Sequence, residues 1–552
     1  MNGWPPAGDG ACLADRLHFP NVPADAVNRE IVERKGHRRA KQKSVMSNAS
    51  LDIEAATPEA GVVARPRPEF WLPLAYGLAL LACLSVWFLA IRAPVWVDET
   101  LSYWQIAGGF KQIWARSIQG NSFAAYAYIL WLTRTLFGDK EIVLRVPSIL
   151  AMLAAVYVFY RCARELFDWD VSLIATMVFI LPRGIAFAAI DVRPYGFALL
   201  LTNLTILLFL RWTKTHKNAY AALFGAAAAG IVYFHYLFAS ILLALAVYYF
   251  LSRRTALRSD LRQIGIALAC FGIFLLPVLP RLKYIYQTRT MHSFADPPQL
   301  TWILDLLNPG KGQLFVLAGV ILLAIVARQL LPPDHASLDK LAFCVSLALV
   351  PILCLYTVSV TTSVHVFIPR YLLVAVPGIS LCWGWLCSRL ASRPLRGLFC
   401  FAFVALCVSQ AYRSPLSRWH EDSWKGSLAF ADANAAQDNA PILMCSPLVE
   451  ADYEPMPAVA SDSVLYAPLS YYKVNARVVP LPRTLNAEAQ RQVSHFLMGN
   501  EGTRFLVLVP LQSRQILALL AASTQGTHSY RVLGESDNIF VLEFTPYAVG
   551  PS

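Results

Sequence analysis

From position 72 onward, uncharged apolar runs recur along most of the chain. The first, 72–91, holds 20 residues without a charge, enough to cross about 30 Å of hydrocarbon as a helix. Runs of the same character fall at 143–160, 171–189, 195–210, 219–233, 237–251, 263–279, 314–331, 340–360, 371–387 and 396–412, which with the first predicts eleven membrane spans. One further stretch, 121–137, is short and carries Arg134, so it is expected as an amphipathic helix on the outer surface. Basic residues decide that assignment. With 121–137 outside, the cytoplasmic loops from 161 onward carry fourteen Lys and Arg, among them Arg161, Arg211, Arg253 and Arg393, against six in the outer loops over the same range (Arg193, Arg281, Lys283, Arg289, Lys311 and Arg370). Were 121–137 to cross the bilayer, this tally would invert against the positive-inside rule. The N-terminus is therefore expected in the cytoplasm and the C-terminus outside a cytoplasmic (inner) membrane.

The two ends read differently. Residues 1–67 are rich in Pro, Gly and charge, carry the basic run Arg34, Lys35, Arg38, Arg39, Lys41 and Lys43, and lack apolar periodicity. They are expected to be a disordered cytoplasmic segment whose basic run is a positive-inside flank. No signal peptide is expected, and Met46 is a second candidate start. Residues 68–412 make the transmembrane domain, with a first outer loop at 92–142 and a long outer loop at 280–312. The last 140 residues, 413–552, alternate strand-like apolar runs at 442–445, 505–509 and 539–544 with a helical pattern near 514–522. They predict a small soluble α/β domain with its own core, extracytoplasmic by this topology.

Composition agrees. The chain of 552 residues is 57% apolar and 15% charged, against roughly 25% charged in soluble domains, which excludes a soluble multidomain protein. The net charge of +12 divides as +1 over 1–71, +14 over 72–412 and −3 over 413–552. The excess flanks the spans, as membrane orientation requires, and argues against a nucleic-acid partner. Most of the eleven cysteines lie in apolar segments and none forms a CxxC pair, so neither a disulfide framework nor a zinc site is indicated.

The chemistry gathers on one side. Asp98 and Glu99 follow the first span, Asp191, Arg193 and Tyr195 stand at the outer end of the third, His235 and Tyr236 between the fifth and sixth, and Arg370 and Tyr371 at the start of the tenth. Singly, these fit helix caps, headgroup anchors and an aromatic belt. Carboxylates near hydrocarbon are costly unless paired or hydrated, so their concentration at one face suggests a polar cavity there.

In order, Val97-Asp98-Glu99-Thr100-Leu101-Ser102-Tyr103-Trp104, Arg145-Val146-Pro147-Ser148, Arg193-Pro194-Tyr195, Phe234-His235-Tyr236 and Pro369-Arg370-Tyr371-Leu372 resemble the bacterial members of the GT-C superfamily of membrane glycosyltransferases, over about 70–412. Relatives include protein O-mannosyltransferases, the lipid A aminoarabinose transferase and rhizobial galacturonosyltransferases. Two departures stand out. Asp191 occupies a position that is commonly Glu, and Asn121-Ser122-Phe123-Ala124 lacks the lysine that some relatives place there to meet the donor phosphate. Arg193, Arg370, Lys283 and Arg289 are the candidate substitutes.

The resemblance implies an inverting transfer of a hexosyl or pentosyl group from a polyprenyl-phosphate donor. Asp98 is the candidate base, with Glu99 and Asp191 orienting the acceptor, and the donor or acceptor is bound by Arg193, Tyr195, His235, Tyr236, Lys283, Arg289, Arg370 and Tyr371. The acceptor is a lipid, a polysaccharide or a protein, and membrane lipids are constant partners. No cofactor is demanded, although Asp98, Glu99 and Asp191 are oxygen ligands of the kind that hold Mg²⁺ or Mn²⁺. A polymerase or ligase with a diphosphate-linked donor is the nearest alternative. A lipid or sugar transporter is the non-enzymatic one, and the charges at span ends and the absence of a clear repeat weigh against it. Arg183, inside the third span, is left without a role.

Overall fold

The computed structural model describes residues 71–547 apart from 253–256, 291–294, 309, 414–423, 447, 450–462, 482, 486, 501, 511–512 and 537–538. The expected N-terminal segment 1–67 and Met46 lie outside the described residues.

The first apolar run forms α1 (Trp71–Ser85), prolonged as a 3₁₀ stretch to Ala90. Three helices follow before the next span: α2 (Val97–Ala107), α3 (Ile113–Gln119) and α4 (Ala124–Phe137). The stretch 121–137, expected as a surface helix, is α4, only 14 residues long. The remaining apolar runs give α5 (Glu141–Leu166), α6 (Trp169–Ile180), α7 (Arg183–Ile190), α8 (Tyr195–Thr215), α9 (Asn218–Phe234), α10 (Ser240–Ser252), α11 (Leu257–Leu275), α12 (Leu279–Gln287), α13 (Thr301–Leu307), α14 (Lys311–Val326), α15 (His335–Thr361), α16 (Val376–Ser388) and α17 (Arg393–Arg413). Six helical stretches are long and apolar enough to cross a membrane, and two bent pairs and three shorter apolar helices bring one helical segment to each of the eleven expected runs. The loop expected at 280–312 contains most of α12, which prolongs the span before it, and all of α13.

The third span is broken. A bend of 73° separates α6 from α7 at Leu181-Pro182. Proline has no amide hydrogen and disfavours helix at the residue before it, so the bend follows from the sequence. Elsewhere the spans come close through small residues. A methyl group on Gly225 of α9 would overlap the backbone carbonyl of Ala267 in α11, and one on Gly378 of α16 would overlap the backbone of Leu347 and Ala348 in α15.

After the last span the chain forms α18 (Trp424–Ala435), β1 (Ile442–Cys445), α19 (Ala467–Tyr471), β2 (Val478–Leu481), α20 (Ala487–Gly499), β3 (Phe505–Pro510), α21 (Arg514–Ser523), β4 (His528–Ser536) and β5 (Ile539–Pro546). The strand order is β2-β1-β3-β5-β4, with β1 parallel to β2 and β3, and β5 antiparallel to β3 and β4. The three expected strands are the middle of this sheet. Successive strand residues point to opposite faces. Ile442 and Met444 join Trp424 and Leu428 on one face, while Leu443 and Cys445 join Phe496 and Ile516 on the other. Both faces are thus covered, which explains runs that are apolar at every position rather than alternating.

The first of these cores extends beyond the sheet. Val97, Leu101 and Trp104, one stripe of α2, are buried in it. The Tyr472 hydroxyl donates to the Val95 carbonyl at 3.1 Å, the Tyr471 hydroxyl to the Asp139 carbonyl at 3.1 Å, and Lys425 pairs with Glu141 at 3.2 Å. The sheet is seated on the segment that carries Asp98.

Gly225→Ala and Gly378→Ala are expected to lower the melting temperature of the purified protein, since the obstacle is backbone and only separation of the helices relieves it. Gly272→Ala, with open space at its Cβ position, is the control and should melt as wild type in fluorescence-monitored thermal unfolding.

Candidate active site

Adjacent residues on a helix diverge by about 100°, and the Asp98-Glu99 pair at the start of α2 is parted in this way. Glu99 turns inward to 1% exposure. It pairs with Arg145 of α5 at 3.2 Å, accepts the Val192 amide at 2.9 Å, and reaches back to the Trp96 amide at 3.1 Å. Arg145, equally buried, also donates to the Ile91 carbonyl. Asp98 turns the other way. Its Oδ2 accepts from Arg370 Nη1 at 2.9 Å and lies 3.9 Å from Arg193 Nη2. Arg193 Nη1 also donates to the Asp98 carbonyl at 3.2 Å. Among the described residues, Asp98 Oδ1 accepts no hydrogen bond.

Three segments far apart in the chain therefore meet at one carboxylate. Arg193 comes from the turn between α7 and α8, which the 2.7 Å bond from its amide to the Asp191 carbonyl tightens. Arg370 comes from the segment after α15. Behind them, His235 lies among aromatic rings, 5.0 Å from Tyr371 and 5.5 Å from Tyr195 between ring centres. Burial, then the charges of Arg193 and Arg370, push His235 down to about 3, so it is neutral at physiological pH. Asp191 accepts the Trp96 indole N–H at 2.9 Å, and its second oxygen is buried without a partner among the described residues. Burial, with Glu99 next in effect, holds its carboxyl well above the usual range.

A cavity of about 300 Å³ opens over Asp98. On α2 its wall includes Val97 and, at i, i+3, i+4 and i+7 of one helical face, Asp98, Leu101, Ser102 and Gln105. The 120–123 loop, His235, Tyr236, Arg289, Arg370 and Tyr371 close the sides, and Leu448, Val449 and Arg483 of the C-terminal domain complete it. Arg281 fixes the loop by bonds to the Ser122 carbonyl at 3.2 Å and to Asn121 Oδ1 at 3.2 Å.

Of the residues expected at the site, Asp98, Arg193, His235, Tyr236, Arg289, Arg370 and Tyr371 line the cavity. Glu99, Asp191 and Tyr195 are buried and absent from its lining. Lys283 is exposed and also absent, because α12 turns Arg281 and Ile285 inward and so carries position 283 to its outer side. The three carboxylates do not converge, Asp98 being held by arginines and Glu99 by Arg145. Among the described residues, no group of three His, Cys, Asp or Glu is arranged to hold a metal ion. The sequence reading missed Ser102 and Gln105, which the helical spacing from Asp98 would have found, and Arg483, for which the sequence offers no signal.

The chain was compared with known proteins. Residues 124–282 match the family model described as dolichyl-phosphate-mannose-protein mannosyltransferase. No curated protein matches the chain. The structure of ArnT from Cupriavidus metallidurans bound to undecaprenyl phosphate superposes with a TM-score of 0.53 at 13% identity, covering 87% of this chain and 99% of that one. The archaeal oligosaccharyltransferase AglB from Archaeoglobus fulgidus, in complex with an inhibitory peptide and a dolichol-phosphate, has a TM-score of 0.44 at 10% identity, covering 88% and 75%. The chain thus shares the fold of the ArnT structure, and over residues 124–282 it is similar to the mannosyltransferase family.

Proposed function

We propose that the protein transfers a sugar from a polyprenyl-phosphate donor to an acceptor at the outer face of the cytoplasmic membrane, with inversion and with Asp98 as base. The observation that carries this reading is a single carboxylate at the cavity wall, gripped through one oxygen by two arginines and leaving the other oxygen unengaged. Support comes also from the solved ArnT structure of the same fold, which holds undecaprenyl phosphate.

The reaction follows from these groups. Asp98 Oδ1 takes the proton of the acceptor hydroxyl as its oxygen attacks the anomeric carbon from the face opposite the phosphate. The bond from that carbon to the phosphate oxygen breaks, and its electron pair stays on the departing prenyl phosphate. Arg193 and Arg370 meet the charge that gathers there, already aimed and half-buried, so that little reorganisation is needed. For an acceptor that is itself a phosphate, already ionised, Asp98 chiefly positions groups. Glu99, Asp191 and Tyr195 act as positioning residues behind the wall. With the orientation read from the basic residues, the cavity and the C-terminal domain face outward.

Two more arginines, Arg289 and Arg483, line the same cavity. Four guanidinium groups exceed what one phosphate needs, and this surplus favours, as the second reading, a diphosphate-linked donor of a polymerase or ligase.

Asp98→Asn is expected to lower transfer by about 10²–10⁴-fold at matched expression. Mass spectrometry of the envelope lipids of a deletion strain carrying this variant should find one sugar missing from a glycoconjugate and a sugar-linked prenyl monophosphate accumulating. A wild-type profile from Asp98→Asn would remove the base assignment, and an accumulating diphosphate-linked oligosaccharide would favour the second reading.

Arg145→Met leaves Glu99 buried without its cation and is expected to cost about 3–5 kcal/mol of stability, read as a lower melting temperature in detergent. The double variant Glu99→Gln/Arg145→Met should recover much of that loss. An unchanged melting temperature for Arg145→Met would deny the pair its structural role.

A further inference from the structure

The C-terminal sheet turns one edge to the cavity over Asp98. Strand β1 is parallel to both β2 and β3, so the carboxyl ends of these three strands share that edge. Leu448 and Val449 follow β1 there, Arg483 follows β2, and all three line the cavity. Ser513, past the end of β3, is buried and donates its hydroxyl to the Arg483 carbonyl at 2.9 Å. The Ser446 amide donates to the Leu481 carbonyl at 2.9 Å, which ties the turns after β1 and β2 together. In open α/β sheets the carboxyl edge is where ligands bind, on turns that a rigid scaffold holds in place.

Charge selects the ligand. The cavity lining carries one carboxylate, that of Asp98, against four guanidinium groups. Arg193 and Arg370 flank Asp98. Arg289 folds back on the end of α12, donating to the Tyr286 carbonyl at 2.7 Å and lying 4.2 Å from the centre of the Tyr286 ring. The half-buried Arg483 differs from these three. Ser513 fixes its backbone, and among the described residues its guanidinium makes no hydrogen bond or ion pair. A guanidinium presents a planar fork of donors that matches a phosphate or a carboxylate. In the same lining, the rings of Tyr236 and Tyr371 offer aromatic faces suited to the apolar face of a sugar ring.

We infer that the carboxyl edge of the sheet is the acceptor subsite, and that the acceptor is an acidic saccharide whose phosphate or carboxylate is bound by Arg483. The inference rests on the transfer reaction proposed above and adds to it the class of acceptor. It divides the cavity by domain. The donor phosphate is met by Arg193 and Arg370 of the membrane part, and the acceptor is held from the C-terminal side. Because the sheet is packed on Val97, Leu101 and Trp104, Arg483 is held in register with Asp98 on the same segment.

The test uses the full-length protein in detergent, with the prenyl phosphates of the deletion strain as donor and the envelope saccharides of that strain as acceptor. Arg483→Gln is expected to raise the KM for the acceptor about tenfold or more, with the KM for the donor unchanged and Arg483→Lys between variant and wild type. Phosphatase treatment of the acceptor, or methyl esterification of its carboxylates, should raise the wild-type KM by the same factor and leave that of Arg483→Gln as it was. Whichever treatment does so identifies the anion, and its wild-type arm stands even if a variant fails to fold. An unchanged acceptor KM in Arg483→Gln would overturn the proposal, as would a wild type indifferent to both treatments or transfer to protein instead of saccharide. A rise in the donor KM instead would give Arg483 to a diphosphate donor and likewise overturn it. Binding is also read without turnover, as a rise in melting temperature on adding the saccharides alone, expected for wild type and lost in Arg483→Gln. Stabilisation of this kind without any sugar transfer would defeat the reaction proposed above and uphold the subsite; its absence from the wild type would overturn the subsite.

Discussion

A glutamate that never touches the cavity determines where the cavity is. Glu99 spends its oxygens on Arg145, on the Val192 amide and on the Trp96 amide, and so ties the start of α2 to α5 and to the turn that carries Arg193. A buried ion pair of this kind gains little net stability, because desolvation offsets the attraction, but removing one partner strands a charge in the interior. Its effect is on geometry. With Glu99 fixed, the helical rotation of about 100° leaves Asp98 one direction to point in, toward Arg193 and Arg370.

The same helix is held from its far side by the C-terminal sheet. Val97, Leu101 and Trp104 are packed in that domain's core, while Asp98, Ser102 and Gln105 look into the cavity. Val97 and Leu101 border both the core and the cavity, so any shift of the sheet carries Asp98 with it. The domain also contributes Leu448, Val449 and Arg483 to the cavity. Its placement on the segment that carries Asp98 therefore makes it part of the cavity.

The spans were legible because hydrocarbon tolerates few charges, so uncharged length alone marks them, and each of the eleven expected runs is a helical segment. The central strands were legible because a sheet covered on both faces is apolar at every position. β4 was not, since it is an edge strand with polar and charged residues at many positions, and β2 has only four residues, one of them a proline. That Asp98, Arg193 and Arg370 stand on the same side of the membrane could be read from ordered motifs, and the fold brings them into contact. The division of labour between Asp98 and Glu99 could not, because adjacency guarantees that they diverge without saying which one turns inward. Nor could the fate of Lys283, which depends on α12 burying Arg281 against the 117–122 segment, a contact between residues about 160 positions apart.

A continuous helix through the third span would have carried α7 on along the axis of α6. The bend at Leu181-Pro182 changes this. It sets α6 and α7 at 73° to each other, and the end of α7 delivers Asp191 beneath Trp96 and Arg193 beside Asp98. The proline that costs the span its continuity is thus the reason a short helix can bring Asp191 and Arg193 to the start of α2.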